Sequence, residues 1–338
     1  MISTGSITGG RACRDPALVR GVTWDPAGPA LSLTADDGDT RLPLSAGGWL
    51  RFAVAAGPRR CLGYSRVHGP DDTDHTPCPE RAAAVRGYQC GPCFARDDFR
   101  FMHDFHRSGQ APAGLRAYLA QPHWLYVATF ADGATKVGTA SARSKWTRLA
   151  DQGAVVAAYV ARARDGRVVR LLEDLVSERA GLTQFVRGTA KFASLLAPRP
   201  ADDLAGLNAA AAGRVRDLLA AGAPGIEATD GFDVVTEAWA RPVLAAAACG
   251  PGPRIAYPRP LSEGEHGMRI DSMSGANALV SIDGVASDGA GSDGTGSDGT
   301  ASDGAGPVFL AGLGDLRGRV IRFGDFVTPV PAFQESLF

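Results

Sequence analysis

The chain has 338 residues, enough for one large domain or two to three ordinary ones, and 45% of them are hydrophobic, so it can bury a core of its own. With 35 basic and 36 acidic side chains the net charge is −1, which excludes a global pull toward nucleic acid or an anionic membrane and leaves any polyanion site to a local patch. Residues 1–21 lack a basic-then-apolar export signal, and the candidate membrane run Val243–Cys249 has seven residues against the roughly 20 that span a bilayer. A cytoplasmic, reducing compartment is therefore expected, where clustered cysteines bind metal more often than they pair as disulfides.

Residues 1–57 read as a β-rich segment, with short apolar or alternating stretches at Gly21–Trp24, Ala30–Thr34 and Trp49–Val54 separated by turns such as Asp36-Asp37-Gly38-Asp39. Residues 58–122 form a cysteine module and linker; the part up to residue 95 holds four of the six cysteines and little apolar content, so it needs an external staple. From 123 to 200 the periodicity predicts β-β-α-β-α. A strand at Trp124–Phe130 turns through Asp132-Gly133 into a second at Thr135–Thr139, followed by a helix over Ser141–Asp151. The apolar run Ala154–Ala163 is a buried strand closed by an Asp165-Gly166 turn. Arg167–Ala180 is an amphipathic helix with Gly181 at its C-cap.

Further helices are expected at Gln184–Leu196 and Leu204–Ala221, the second within a connector spanning 201–225. Residues 226–338 return to β patterning near Phe232–Val235, Asn277–Ile282, Val308–Gly312 and Arg319–Phe323. A five-residue repeat, SDGAG-SDGTG-SDGTA-SDGAG, runs from Ser287 to Gly306; it has no apolar side chain larger than alanine, and 286–306 reads as a disordered acidic insert. The expected fold class is α+β.

Cys61, Cys78, Cys90 and Cys93 are separated by sixteen, eleven and two residues. The final CxxC, within Gly87-Tyr88-Gln89-Cys90-Gly91-Pro92-Cys93-Phe94, puts two thiolates on one side of a tight loop, and two distant thiolates complete a tetrahedron around a structural zinc ion. His68 or His75 are alternatives for one of the lone ligands.

Tyr126 on the first strand of the hairpin and Lys136 on the second can point to one sheet face, Arg148 on the next helix can reach over it, and Glu173 sits on the polar side of the last helix. A tyrosine, a lysine, an arginine and one carboxylate suit phosphodiester chemistry: a carboxylate-held metal positions phosphate, a phenol or amine prepares water, and a guanidinium neutralises the transition state. Between 136 and 170, Lys136, Arg143, Lys145, Arg148, Arg162, Arg164, Arg167 and Arg170 face only Asp151 and Asp165, a local excess of six basic residues.

Tyr126, Lys136-Val137-Gly138, Arg148 and Glu173, in that order, resemble a GIY-YIG nuclease core. The run from Gly87-Tyr88-Gln89-Cys90 through Lys136-Val137-Gly138-Thr139 to Arg148 and Asp151-Gln152-Gly153-Ala154 is similar to a bacterial domain family of unknown function that pairs a cysteine-rich module with such a core. The first resemblance implies catalytic roles for Tyr126, Arg148 and Glu173, with Glu173 holding a divalent metal. Trp124 stands where the first motif has glycine, Lys136 where the second has tyrosine, and no asparagine follows Glu173 before Asn208.

The expectation is a zinc-containing protein that binds DNA or RNA through Arg143, Lys145, Arg162, Arg164, Arg167 and Arg170 and, in its catalytic form, cleaves it with magnesium through Tyr126, Lys136, Arg148 and Glu173. The alternative is a module of the same fold that binds nucleic acid or protein without cutting.

Overall fold

The computed structural model describes residues 16–102, 104–222, 231–283 and 307–329, so the acidic repeat lies outside the described residues. The N-terminal strands are β1 (Ala17–Asp25), β2 (Gly28–Ala35), β3 (Gly38–Pro43) and β4 (Trp49–Val54). The cysteine module adds β5 (Tyr64–Val67), β6 (Thr73–Thr76) and α1 (Gly91–Arg96), followed by α2 (Phe105–Ser108) and α3 (Ala113–Leu119). Next come β7 (His123–Thr129), β8 (Thr135–Ser141), α4 (Thr147–Gln152), β9 (Val156–Ala163) and α5 (Gly166–Ala180), the expected β-β-α-β-α order. After α6 (Gly188–Leu196) and α7 (Ala201–Ala220) come β10 (Phe232–Ala238), α8 (Ala246–Cys249), β11 (Ile255–Ala256), β12 (Gly264–Ser274), β13 (Asn277–Ser281), β14 (Phe309–Gly312) and β15 (Val320–Phe323). The protein is α+β. Among the described residues no helix is long and apolar enough to cross a membrane.

Strands from the two ends of the sequence interleave in one nine-stranded sheet, ordered β11-β14-β13-β12-β4-β15-β1-β2-β3. β10 instead joins a four-stranded antiparallel sheet, β10-β9-β7-β8. One face of that smaller sheet carries Leu125, Val127, Val137 and Val160 against Val168, Leu172 and Val176 of α5 and Ala212 and Val215 of α7. Its other face, with Tyr126, Ala128 and Tyr159, shares a core with Trp24, Leu31, Phe52 and Met268 of the large sheet. Alternation along β7 produces this division, since successive strand residues point to opposite faces.

Three local features depart from the sequence pattern. The longest strand of the large sheet, β12, went unpredicted because it is polar and glycine-containing, GEHGMRIDSMS, with few β-branched residues. The helix expected over 141–151 starts only at Thr147, because Ser141 Oγ accepts from the Ser144 amide at 3.3 Å and holds the preceding residues in a turn. Asp165 belongs to α5 as its N-cap, accepting from the Val168 amide at 2.9 Å.

Candidate functional site

Cys61, Cys78, Cys90 and Cys93 are all buried, and their sulfur atoms lie within 4.8 Å of one another. Cys90 immediately precedes α1 and Cys93 sits in its first turn, with Pro92 preforming the start of the helix. A tetrahedral site with Zn–S near 2.3 Å spaces its sulfurs by about 3.8 Å; Cys78 Sγ and Cys90 Sγ are 3.9 Å apart. The Cys90 and Gly63 amides donate to Cys61 Sγ at 3.1 and 3.4 Å, contacts that favour a thiolate there. Burial pushes the Cys61 and Cys93 thiols up, so a bound cation would have to displace their protons. The cluster can hold a metal such as zinc. Neither histidine alternative joins it: His75 bridges Asp39 and the Leu62 carbonyl at 2.7 and 2.6 Å, and His68 pairs with Asp74 at 3.1 Å.

Tyr126, Lys136, Arg148 and Glu173 come together at the β7–β8 hairpin. Tyr126 pairs across the hairpin with Gly138 and Ala128 with Lys136, which puts the tyrosine and lysine on one face. The Lys136 ammonium lies 5.7 Å from the Tyr126 ring centroid and donates to the Gln184 carbonyl at 3.1 Å. The Tyr126 ring lies over Gly138, where a Cβ would sit 2.4 Å from the phenol oxygen and 2.5 Å from its ring carbon. Glycine at 138 is therefore a packing requirement of the tyrosine. Gln152, one helical turn after Arg148 on α4, donates to Tyr126 Oη at 2.8 Å. Glu173 is buried on α5 and forms an ion pair with Arg170 of the preceding turn.

Burial and mutual charge tune these groups. Desolvation pushes the Lys136 ammonium down to about 8, with Arg148 and Arg170 pushing the same way and Glu173 opposing. Burial raises Glu173, against the pull of Arg170, Lys136 and Arg148. Burial also raises Tyr126, which stays a phenol, although Arg148 and the Gln152 hydrogen bond pull it down. Lys191, on α6, is lowered to about 8 by burial and by the charges of Lys136 and Arg148, and donates to the Gln152 carbonyl at 3.0 Å. Asp151, raised to about 6 by burial, accepts from the Trp24 amide at 2.8 Å and so ties α4 to the large sheet. Tyr126, at 0% exposure, lies behind Gln152, whereas Arg148 is exposed.

The six residues expected to hold nucleic acid are dispersed. Lys145 pairs with Glu237 at 2.7 Å and sits on the Trp124 ring beside Arg162, and Arg164 pairs with Asp165 at 3.1 Å. Arg143 donates weakly to Thr73 at 3.5 Å, and Arg167 is exposed at the start of α5. Arg170 shares with Arg148 the lining of a cavity of about 410 Å³ that also contains Phe99, Tyr118 and His106. A larger cleft of about 1110 Å³, between the cysteine module, α4 and the large sheet, is lined by Arg148, Asp151 and Gln152 on one side.

Sequence reasoning missed Gln152 and Lys191. Gln152 was readable as the i+4 neighbour of Arg148 on one helix face; Lys191 arrives from α6 with no sequence signal. Asn208, the first asparagine after Glu173, lies elsewhere, tying α7 to β7 by donating to the Val127 carbonyl and Thr129 hydroxyl, both at 3.1 Å.

Comparison with known families adds one finding. Residues 87–200, which run from the CxxC knuckle through α6, match a family described as "Protein of unknown function (DUF2797)". The match includes all four residues of the hairpin site and two of the four cysteines. Neither the curated proteins nor the solved structures that were compared gave a match.

Proposed function

We propose that this is a zinc-containing, nucleic-acid-binding protein whose hairpin site hydrolyses phosphodiesters with magnesium. The observation that carries the reading is the convergence of Tyr126, Lys136, Arg148 and Glu173 from four elements onto one electrostatically linked site, in the order that resembles GIY-YIG nucleases. A carboxylate and an ammonium at 3% and 6% exposure each carry a desolvation cost, and buried titratable groups with shifted pKa values concentrate at functional sites.

Glu173 is one buried carboxylate, a donor set that fits magnesium when substrate phosphate and water complete the octahedron. Bound there, magnesium would supply charge neutralisation and orientation of the phosphate. The protein's own groups do the rest. Lys136, held near 8, takes the proton of the attacking water through its neutral amine while still donating to the Gln184 carbonyl. Tyr126 Oη accepts from Gln152 and keeps its own proton to orient the water. Arg148, exposed at the start of α4, compensates the charge growing on the phosphate.

The test is cleavage of labelled DNA and RNA with added magnesium. Glu173→Ala should lose cleavage while its circular dichroism and zinc content stay unchanged; a variant that cuts as fast as the parent sinks the mechanism. One observation favours the second reading, a binder that does not cut: Arg170 already neutralises Glu173. In that case Glu173→Ala leaves affinity unchanged or improved, and the parent protein shows no cleavage.

A further inference from the structure

The large cleft points to a substrate more specific than nucleic acid in general. Four arginines line it: Arg86 from the cysteine module, Arg100 from the turn after α1, Arg148 from α4, and Arg317 from the turn after β14. All four are exposed, and among the described residues none of them forms an ion pair with a carboxylate. The acidic groups of the cleft are occupied instead. Asp97 accepts from the Gln89 side chain and the Ser65 and Phe99 amides at 2.6, 3.3 and 2.8 Å, and Asp151 accepts from Trp24. Arg20, the fifth cleft arginine, is neutralised by Asp39. The cleft therefore presents four arginines against two carboxylates, Asp97 and Asp151, that pair with none of them, a net excess of positive charge.

Aromatic rings accompany those charges. Arg317 stacks on Tyr88 with its guanidinium carbon 4.2 Å from the ring centroid, and Arg86 stacks on Phe94 at 4.1 Å. Tyr64 and Phe99 also line the cleft. Arginines on aromatic planes hold phosphates and offer flat faces to unpaired bases, and a duplex hides the base faces such planes would stack on. The track ends at Arg148 and Gln152, and Gln152 donates to the Tyr126 hydroxyl.

We infer that the cleft between the cysteine module and the nine-stranded sheet binds single-stranded nucleic acid, laying its phosphates along Arg317, Arg86, Arg100 and Arg148 and delivering one of them to the hairpin site. The inference rests on the proposed function for its end point, but binding in the cleft is measurable without cleavage. It also explains what the cysteine module contributes, since a metal that orders residues 58–97 orders one wall of the cleft. Arg86, Arg100 and Arg317 all lie outside the basic set read from the sequence between 136 and 170.

The experiment is fluorescence anisotropy with short labelled single-stranded DNA, single-stranded RNA of the same sequence, and the matching duplex, without added magnesium so that cleavage is off. Single strands should bind about tenfold or more tighter than duplex, and whichever of DNA or RNA binds better identifies the natural source. The Arg86→Ala/Arg317→Ala double variant should weaken single-strand binding about ten- to a hundredfold and reduce the log–log salt slope by about 1.4, two phosphate contacts at about 0.7 each. Arg100→Glu provides a second variant if the double variant loses its zinc. Arg162→Ala/Arg167→Ala should change affinity less than about twofold. Duplex binding as tight as single-strand binding, or cleft variants that bind like the parent, overturns the inference. Cleft-dependent binding by a protein that never cuts would leave it standing and sink the catalytic reading alone.

Discussion

The cysteine cluster and the hairpin site are both buried polar centres, yet they are held by opposite means. The four thiols come from one loop-rich stretch, 61–93, whose other side chains form only two short strands and part of a six-residue helix. The hairpin site draws on β7, β8, α4, α5 and α6, elements packed on two hydrophobic cores. In the first case a bound cation would hold the fold; in the second the fold holds the side chains against their own desolvation. Loss of a bound metal should therefore dissolve the first centre and leave the second, while loss of the exposed Arg148 guanidinium should change chemistry with little effect on folding.

The largest expected effect breaks the first half of that contrast. Cys90→Ser or Cys93→Ser should abolish zinc binding, read by plasma mass spectrometry as a fall from about one zinc per chain to none. Hydrogen exchange should then rise across 58–97 and remain slow across β7, β9 and α5. Exchange that rises equally in both regions would show that the two centres are not independent.

Next in size is chemistry at the second centre. Arg148→Ala should slow cleavage about a hundred- to a thousandfold, the usual cost of losing one donor to a charged transition state, with the melting temperature unchanged. Gly138→Ala should act through packing, since its methyl would enter the Tyr126 ring; about 1–3 kcal/mol of stability should be lost in urea unfolding, together with cleavage.

The pH dependence sharpens the comparison further. Lys136 and Lys191 titrate near 8 in the folded protein, below their ordinary values, so the native state binds fewer protons than the unfolded chain between about 8 and 10.5. The burial cost is fully present below about 8, and stability rises with pH through that window; the urea midpoint of Lys136→Met should rise less steeply there than that of the parent. Cleavage should likewise rise with pH to a plateau above about 8 as the Lys136 amine loses its proton, and Lys136→Arg should remove the activity. The smallest effect is at Asp151, held near 6, where Asp151→Asn should flatten the fall in stability expected as pH rises from about 4 to 6.

Much of this was legible because the relevant signals are local. The CxxC knuckle, the Asp132-Gly133 turn and the helical spacing of Val168, Leu172 and Val176 each lie within a few residues of sequence, and the structure places a cysteine cluster, a hairpin and a helix there. The four hairpin-site residues could be grouped from the sequence because their order follows the elements that carry them, β7, β8, α4 and α5. What escaped depends on long-range packing. β12 lies between β4 and β13 with a sequence too polar to announce a strand, and nothing local couples residues 17–54 to 255–323. For the same reason the basic set between 136 and 170 was a poor guide to accessible charge. Three of its members, Lys145, Arg164 and Arg170, meet carboxylates in the fold, while Arg86 and Arg317, far apart in sequence, line one cleft.

The most direct test of the central claim, that the hairpin residues act as one phosphodiester-cleaving site, is single-turnover cleavage of a bound, end-labelled single strand in magnesium, with affinity measured on the same samples, for the parent protein and Arg148→Ala. The account predicts product from the parent and a loss of about a hundredfold or more in the variant, with affinity reduced about tenfold or less. No product from saturated, zinc-loaded parent protein, or equal rates in both, would contradict it.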